Sequence, residues 1–179
     1  MTPFEQRAQA ILRRVQPGMV IAEIGVFHGQ LSECLLNAGL TVHMIDNWLP
    51  GSEHPERYKA TGDYHTKLTA DAVKNAEQDT RRRAHAFPGR AWIHKMDSID
   101  ASKLVEDKSL DMVFLDADHS KAGVKEDIHY WRPKVIPGGW IGGHDYGDER
   151  FGVTEAVIES FPPWYEIESD INLTWFVKI

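Results

Sequence analysis

In the segment LDMVFLDADH, three titratable side chains come directly after the apolar residues: Asp116, Asp118 and His119. The apolar residues predict a buried strand, and ionisable groups at the end of such a strand are costly to bury without partners. A carboxylate beside an imidazole can raise the imidazole pKa or fix its tautomer. His119 is therefore a candidate for a catalytic or substrate-contacting role, with a structural hydrogen bond as the alternative. A second polar pair, His144 and Asp145, ends the next strand-like run, WIGGHDY, and the two strand ends together predict one ligand site.

The turn AEIGVFHGQ, residues 22–30, contains two glycines directly after the first strand-like run. Gly25 and Gly29 allow the backbone to bend sharply and to approach a ligand closely, although the same glycines would serve any tight turn. A dinucleotide-binding turn usually has the pattern G-x-G-x-x-G, which this turn lacks. Glu23 adds a carboxylate, which suits a ligand carrying an ammonium group better than a pyrophosphate.

The next two strand-like runs also end in aspartates. Asp46 lies 21 positions after Gly25, close to the offset at which an acidic side chain meets ribose hydroxyls in nucleotide-binding α/β folds. Asp97 and Ser98 follow the third run, where an aspartate can accept a hydrogen bond from an adenine amino group; a helix cap is the alternative. Trp48 stands close to Asp46 at the same edge. These strand ends predict a site for a nucleoside with an amino-acid tail.

Strand-like and helical patterns alternate along the chain, which predicts a parallel α/β sheet with right-handed crossovers. Phe4 to Val15 have the spacing of an amphipathic helix, within an N-terminal segment of residues 1–16. Ser120 is expected to cap the helix after the fourth strand. Residues 49–63 are rich in turn residues and have no clear period, so they predict a loop able to act as a lid. The predicted strands are MVIAEIGV, TVHMIDNW, AWIHKMD, LDMVFLDAD, WIGGHDY and a terminal hairpin of WYEIESD and NLTWFVKI.

Length and charge limit the kind of protein. The 179 residues predict one domain, and the net charge of −7 disfavours a nucleic-acid or anionic membrane surface, which requires a basic face. Cys34 is the only cysteine, which excludes an intrachain disulfide and a zinc–thiolate cluster. No apolar run approaches the ~20 residues that span a bilayer, and the N-terminal residues lack a signal-peptide core. We therefore expect a soluble, cytoplasmic protein.

With these residues in place, the sequence resembles the class I S-adenosylmethionine-dependent methyltransferases over nearly its whole length, from about Met19 to Ile179. The resemblance is carried by the turn EIGVFHG, the aspartates after strands two and three, the segments LDADHS and PGGWIGGHDY, and the terminal hairpin. Within that family it looks closest to the small, often metal-dependent O-methyltransferases of sugar, macrolide and aminocoumarin modification. The resemblance implies a Rossmann-like three-layer α/β sandwich whose seven-stranded, mostly parallel sheet ends in an antiparallel hairpin.

The resemblance also implies which residues hold the cofactor, S-adenosylmethionine. Glu23, Gly25 and Gly29 would hold its methionine part, Asp46 its ribose, and Asp97 with Ser98 its adenine. The full implied set is Glu23, Gly25, Gly29, Asp46, Trp48, Asp97, Ser98 and Asp116.

On the acceptor side the resemblance implies a general base, Asp118, and a divalent metal, Mg²⁺ or Mn²⁺, held by Asp116 and Asp145. The related enzymes carry two acidic residues after strand five, where this chain has His144 and Asp145. Magnesium prefers oxygen ligands, whereas imidazole suits manganese, iron or zinc better. Three alternatives follow for His144: it favours a metal other than magnesium, it does not coordinate the metal, or it indicates that no metal binds. The sequence leaves these alternatives open.

The predicted reaction is transfer of a methyl group from S-adenosylmethionine to a hydroxyl of a small-molecule acceptor, such as a sugar or a polyketide. No nucleic-acid or membrane partner is expected, and a second copy of the chain is a candidate for completing the pocket. One alternative is an oxidoreductase with a nicotinamide cofactor, against which Glu23 and the missing middle glycine argue. Another is a non-catalytic nucleotide-binding or scaffold protein. Oxygen and nitrogen acceptors are not distinguished by the sequence.

Overall fold

The computed structural model describes residues 1–179, which form one sheet of seven strands between two layers of helices. The order in the sheet is β3-β2-β1-β4-β5-β7-β6. The first five strands pair in parallel, and β7 runs antiparallel between β5 and β6. This confirms the predicted fold class, including the terminal antiparallel hairpin. The strands are β1 (Val20–Ile24), β2 (Thr41–Asp46), β3 (Ala91–Lys95), β4 (Leu110–Leu115), β5 (Val135–Gly143), β6 (Ile167–Asp170) and β7 (Thr174–Lys178).

The helices begin where the sequence supplies caps. The hydroxyl of Thr2 accepts a hydrogen bond from the backbone N–H of Glu5, and the backbone N–H of Thr2 donates one to the Glu5 carboxylate, which starts α1. Ser120 caps α6, as predicted, by accepting a hydrogen bond from the backbone N–H of Gly123 at 3.1 Å. The helices are α1 (Pro3–Leu12), α2 (Gln30–Asn37), α3 (Glu56–Lys59), α4 (Ala70–His85), α5 (Ser98–Ser102), α6 (Lys121–Trp131) and α7 (Val153–Ser160), with short 3₁₀ turns at Gly51–Glu53, Tyr64–Lys67 and Arg132–Lys134.

Two apolar clusters fill the space on either side of the sheet. Alternate residues of β4 point to opposite faces, so Met112 and Phe114 join one cluster, and Val113 and Leu115 join the other. The first cluster includes the apolar sides of α1, α2 and α4, and the second those of α5, α6 and α7. Because each fully buried large apolar side chain contributes about 1.5–3 kcal/mol, these clusters hold the strand ends rigidly in place.

Residues 49–63 contain more regular structure than the sequence predicts. A 3₁₀ turn follows Pro50 and α3 follows Pro55. Both elements are too short to produce a recognisable hydrophobic period, which is why the pattern predicts only a loop.

The fifth strand begins earlier than predicted. It starts at Val135 and runs through Pro137, ahead of the predicted segment WIGGHDY. The pairing with β4 shifts register between Leu110 and Met112, and this irregularity accommodates a proline that cannot donate a backbone hydrogen bond. None of the helices has both the length and the apolar character needed to cross a bilayer.

Candidate active site

A cavity of about 520 Å³ opens at the carboxyl edge of the parallel strands, where the strand order reverses between β1 and β4. This is the position at which open α/β sheets bind ligands, and the volume lies within the range of small-molecule sites. All predicted site residues except Gly29 line the cavity: Glu23, Gly25, Asp46, Trp48, Asp97, Ser98, Asp116, Asp118, His119, His144 and Asp145.

Asp46 holds the turn between β1 and α2 in place. Its Oδ2 accepts hydrogen bonds from the backbone N–H groups of Val26 at 2.9 Å and Phe27 at 2.8 Å, and its Oδ1 accepts one from the N–H of Trp48 at 2.7 Å. Burial raises the pKa of Asp46, and these three hydrogen bonds oppose that rise. Asp46 thus shapes the cavity wall in addition to any contact with a ligand.

The two glycines of the same turn have packing roles. Gly25 has φ 89°, and a Cβ there would lie 2.1 Å from the backbone oxygen of Asp116. Gly29 has φ 76°, and a Cβ there would lie 3.1 Å from Oγ1 of Thr80. Both glycines are thus required by the local backbone, which is the alternative that the sequence left open. Gly25 lets the ends of β1 and β4 approach each other, and Gly29 lets α2 pack on α4.

Glu23 is a buried carboxyl group in the cavity wall. Only 2% of the residue is exposed, and the hydroxyl of Ser32 donates a hydrogen bond to it. Burial raises the pKa of Glu23 to about 8, against the effect of the Ser32 hydrogen bond. A cationic ammonium group placed beside this carboxyl would favour its ionised form.

Asp97 and Ser98 lie at the beginning of α5. Asp97 is exposed and caps the helix by accepting a hydrogen bond from the N–H of Ile99 at 3.0 Å. The Ser98 hydroxyl donates to Asp127 and accepts from Nε1 of Trp131 at 2.8 Å. Burial raises the pKa of Asp127 to about 7. This end of the cavity therefore presents a buried carboxyl, Asp127, that the sequence pattern did not single out.

His119 lies between three carboxylates. Its Nδ1 is 2.9 Å from Oδ2 of Asp63, and its Nε2 is 3.2 Å from Oδ1 of Asp116 and 3.3 Å from Oδ2 of Asp145. Carboxylates only accept hydrogen bonds, so both ring nitrogens donate and the ring is an imidazolium. Burial lowers the pKa of His119, but the hydrogen bonds to Asp116 and Asp63 outweigh burial and raise it to about 10. In this arrangement His119 is a cation rather than a base.

His144 and Asp145 follow β5, with Asp145 at φ 60°. Nδ1 of His144 is 3.0 Å from Oδ1 of Asp145 and 3.7 Å from Oδ1 of Asp116. One donor atom from each of these three residues lies within 4.8 Å of the others. Donors about 2.0–2.2 Å from one ion are at most about 4.4 Å apart, so small side-chain rotations would let the three residues hold a divalent metal. An imidazole with two carboxylates suits manganese, iron or zinc better than magnesium.

Asp118 contacts the segment of residues 49–63 rather than the neighbouring carboxylates. Its Oδ2 accepts a hydrogen bond from Nε of Arg57 at 3.0 Å, and its Oδ1 accepts one from the N–H of Ser120 at 2.9 Å. Arg57 also donates to Glu126 at 2.6 Å. These contacts fasten α3 to the cavity wall.

Sequence patterns give no indication of three further residues at the site: Arg7, Asp63 and Asn172. Arg7 donates from Nη1 to Oδ2 of Asp116 at 2.6 Å. Burial raises the pKa of Asp116, but the charge of Arg7 and the hydrogen bond from His119 outweigh it and hold this pKa below its usual range. Arg7 and Asn172 are in contact although they lie 165 positions apart, so no local motif could have revealed them.

The cavity as a whole is acidic. Nine carboxyl groups line it against three arginines and no lysine. Such a wall favours cationic or neutral ligands and repels polyanions.

Comparison with known proteins gives one family match and a set of similar folds. A family model described as a methyltransferase domain matches residues 22–146. An rRNA methylase from Streptococcus thermophilus superposes with a TM-score of 0.63 at 11% identity, over 99% of this chain and 95% of that one. A Staphylococcus aureus protein provisionally named caffeoyl-CoA O-methyltransferase superposes with a TM-score of 0.62 at 17% identity, over 98% and 81%.

A third similar structure is phosphoethanolamine N-methyltransferase 1 of Haemonchus contortus, solved with phosphoethanolamine and S-adenosylhomocysteine. It has a TM-score of 0.57 and 14% identity over 83% of this chain, which spans 26% of that protein. No curated protein sequence matches the chain. At these identities the superpositions show a shared fold, and the acceptors in the three names differ.

Proposed function

Because the chain belongs to the methyltransferase-domain family, we propose that it transfers a methyl group from S-adenosylmethionine to a hydroxyl of a small-molecule acceptor. The observation that carries this proposal is the set of residues that line the cavity of about 520 Å³. One part of its wall suits a nucleoside with an amino-acid tail, and the adjoining part is a cluster of titratable side chains. A methyl donor and an acceptor would therefore meet at the ends of β4 and β5.

The cofactor side of the proposal uses the acidic wall. Glu23 would pair with the ammonium group of the methionine part, and Asp46 would accept hydrogen bonds from ribose hydroxyls while holding its turn. Asp97 and Ser98 would face the adenine, with Trp48 packing at the same edge. The excess of carboxyl groups lining the cavity also favours a sulfonium cation.

On the acceptor side, Asp116, His144 and Asp145 would hold a divalent metal. When bound, such a metal makes an acceptor hydroxyl more acidic. His119 would contact the acceptor from the cavity wall, and Asp118 is the proposed general base. Because the sulfonium methyl is already reactive, these residues mainly need to align the acceptor oxygen with it.

The proposed acceptor is a neutral hydroxylated compound such as a sugar or a polyketide. RNA is the competing acceptor, since similar structures include an rRNA methylase. The nine carboxyl groups of the cavity would repel a phosphate backbone, and the net charge of −7 offers no general basic face. Residues 49–63 and α1 would form the lid over this acceptor.

Calorimetric titration tests the cofactor, and a methyl-transfer screen tests the acceptor. We expect S-adenosylhomocysteine to bind and NAD to give no heat of binding. The screen would offer sugars, macrolides and an rRNA fragment, each with and without chelator. If neither S-adenosylmethionine nor S-adenosylhomocysteine binds, the proposed function is overturned. If the rRNA fragment is the only acceptor that is methylated, the proposed acceptor is overturned.

A further inference from the structure

The N-terminal helix and the C-terminal hairpin meet at the candidate metal ligands. Arg7 in α1 donates from Nη1 to Oδ2 of Asp116 at 2.6 Å and from Nε to Oδ1 of Asn172 at 2.9 Å. Oδ1 of Asn172, in the turn between β6 and β7, also lies 3.1 Å from Nε2 of His144. The guanidinium group of Arg7 therefore contacts the proposed metal ligand Asp116 directly. It is linked to a second proposed ligand, His144, through the side-chain amide of Asn172.

These contacts determine which nitrogen of His144 carries a proton. Arg7 can only donate, so the Asn172 atom facing it must be the amide oxygen. That oxygen is also the atom facing Nε2 of His144, so Nε2 must be protonated and donate. The opposite nitrogen, Nδ1, then points toward the carboxylates of Asp116 and Asp145 at 3.7 and 3.0 Å. A bare Nδ1 and the two carboxylates would all be hydrogen-bond acceptors and would repel one another. Either a proton or a metal ion must therefore lie between Nδ1 and the carboxylates.

The same arrangement sets the direction of Asp116. Arg7 occupies Oδ2, which leaves Oδ1 toward His144 and His119. Asn172 is itself fixed, because its amide nitrogen donates to Oε1 of Gln6 at 3.1 Å. Arg7 is largely buried, with 17% of its side chain exposed. This bridge therefore forms inside the protein, where solvent screens it little.

We propose that Arg7 and Asn172 are positioning residues that hold His144 and Asp116 in the orientation needed to bind a divalent cation. The proposal rests on the metal site within the proposed function. It makes α1 and the β6–β7 turn part of the active site, because both determine the geometry of the proposed metal ligands. Hydrogen bonds that orient a ligating histidine typically change metal affinity about 10–100-fold when they are removed.

The backbone of Asn172 allows a clean substitution. Its φ of 57° is left-handed, a conformation that glycine adopts without strain. Asn172→Gly therefore removes the amide while leaving the turn intact. Asn172→Asp keeps an oxygen that can accept from both Arg7 and His144, so it serves as the conservative rescue. Arg7→Lys keeps the charge but cannot donate to two groups in a fixed fork.

A control variant separates positioning from simple attachment of α1. Arg13 in the segment after α1 binds Asp170 of β6, and it does not line the cavity. Arg13→Lys weakens the connection between the N-terminal helix and the hairpin without touching the bridge. It should retain the zinc affinity of the wild type.

The experiment measures Zn²⁺ affinity by competition with a chromogenic chelator, and the protonation of His144 by ¹⁵N NMR of the zinc-bound protein. We expect a protonated Nε2 and a zinc-bound Nδ1 in the wild type. Asn172→Gly and Arg7→Lys should bind zinc about 10–100-fold more weakly, and Asn172→Asp should recover most of the affinity. Wild-type zinc affinity in Asn172→Gly, or a bare Nε2 in the wild type, would overturn the proposal.

Failure of the cofactor part of the proposed function would look different. A wild-type protein that binds zinc at His144 but not S-adenosylhomocysteine would overturn the methyl-transfer proposal and leave the positioning role supported. A wild type in which zinc does not reach His144 would overturn the positioning role, whereas S-adenosylhomocysteine binding would stand on its own measurement.

Discussion

Asp63 and His119 share a hydrogen bond of 2.9 Å between Oδ2 of the carboxylate and Nδ1 of the ring, although 56 positions separate them in the chain. Oδ1 of Asp63 accepts three further hydrogen bonds, from the backbone N–H of His65 at 2.7 Å, from its ring at 2.9 Å and from the hydroxyl of Tyr58 at 3.3 Å. Burial opposes ionisation of Asp63, but the hydrogen bonds from His119 and His65 outweigh it and hold its pKa well below the usual range. The end of the proposed lid is thus fastened to the sheet edge inside the cavity.

Replacing Asp63 with asparagine should loosen residues 49–63. An amide has one acceptor atom, so Asp63→Asn cannot accept from both His119 and His65, and one donor must lose its partner. A hydrogen bond to a charged group contributes about 1.5–3 kcal/mol, and we expect a loss of that size in the free energy of unfolding. Hydrogen exchange of the α3 amides should become faster. The matched control is Glu56→Gln, an exposed lid carboxylate, and equal exchange rates in the two variants would contradict the prediction.

Glu23 should make stability fall as pH rises. Its pKa is about 8 in the folded protein and 4.5 as the ordinary value, so folding favours the neutral form. The contribution of this group is fully present below about pH 4.5 and is lost as pH rises through about 8. Glu23→Gln, which stays neutral, should therefore have a flatter profile over this range. Urea unfolding of both proteins at several pH values measures the difference, and parallel profiles would contradict the assignment.

The same group predicts a proton release on cofactor binding. An ammonium group beside Glu23 would favour the carboxylate, so at neutral pH binding of S-adenosylhomocysteine should release a proton. Calorimetric enthalpies measured in buffers of different ionisation enthalpy should then differ for the wild type and converge for Glu23→Gln. Glu33→Gln is a suitable control because Glu33 pairs with Arg83 and does not line the cavity. A buffer dependence that persists in Glu23→Gln would assign the proton to another group.

Asp46→Asn should weaken S-adenosylhomocysteine binding and also destabilise the fold. The carboxylate accepts three backbone hydrogen bonds, and an amide oxygen can replace only one of its two acceptor atoms. A buried donor left without a partner costs about 1–3 kcal/mol. For a chain of this size, 1 kcal/mol corresponds to about 2–4 °C in the melting temperature. Thermal unfolding with and without ligand separates the two effects, and an unchanged ligand-induced shift would remove Asp46 from the binding site.

The sequence was sufficient to predict the strand ends, because each strand and the polar residues that end it are neighbours in the chain. The apolar run of β4 and the abrupt change at Asp116 appear within ten residues. The order of elements then predicts the parallel sheet, and the sheet brings Glu23, Asp46 and Asp116 to one edge. Asp127 also had a local signal, since it lies among the apolar positions of α6 between Val124 and Trp131, where a carboxyl group is out of place.

The contacts between distant elements could not be predicted in the same way. Arg7 reaches Asp116, and Asp63 reaches His119, only after α1 and residues 49–63 have packed against the sheet. Their residue types are ordinary for an exposed helix and a loop, so composition and period contain no trace of the pairing. The protonated state of His119 depends on these contacts. The sequence alone therefore could not decide between a catalytic and a structural role for this residue.

Asp118→Asn distinguishes a general base from an anchor for α3. Arg57 binds both Asp118 and Glu126, at 3.0 and 2.6 Å, so the two carboxylates share the anchoring role but differ in position. If Asp118 takes the acceptor proton, Asp118→Asn should lower kcat about 100-fold or more and leave S-adenosylhomocysteine affinity unchanged. Glu126→Gln weakens the anchor and leaves the Asp118 carboxylate in place, so it should raise KM for the acceptor with little change in kcat. Similar kinetic effects in both variants would mean that Asp118 acts through Arg57, and the acceptor proton would then have to leave by another group.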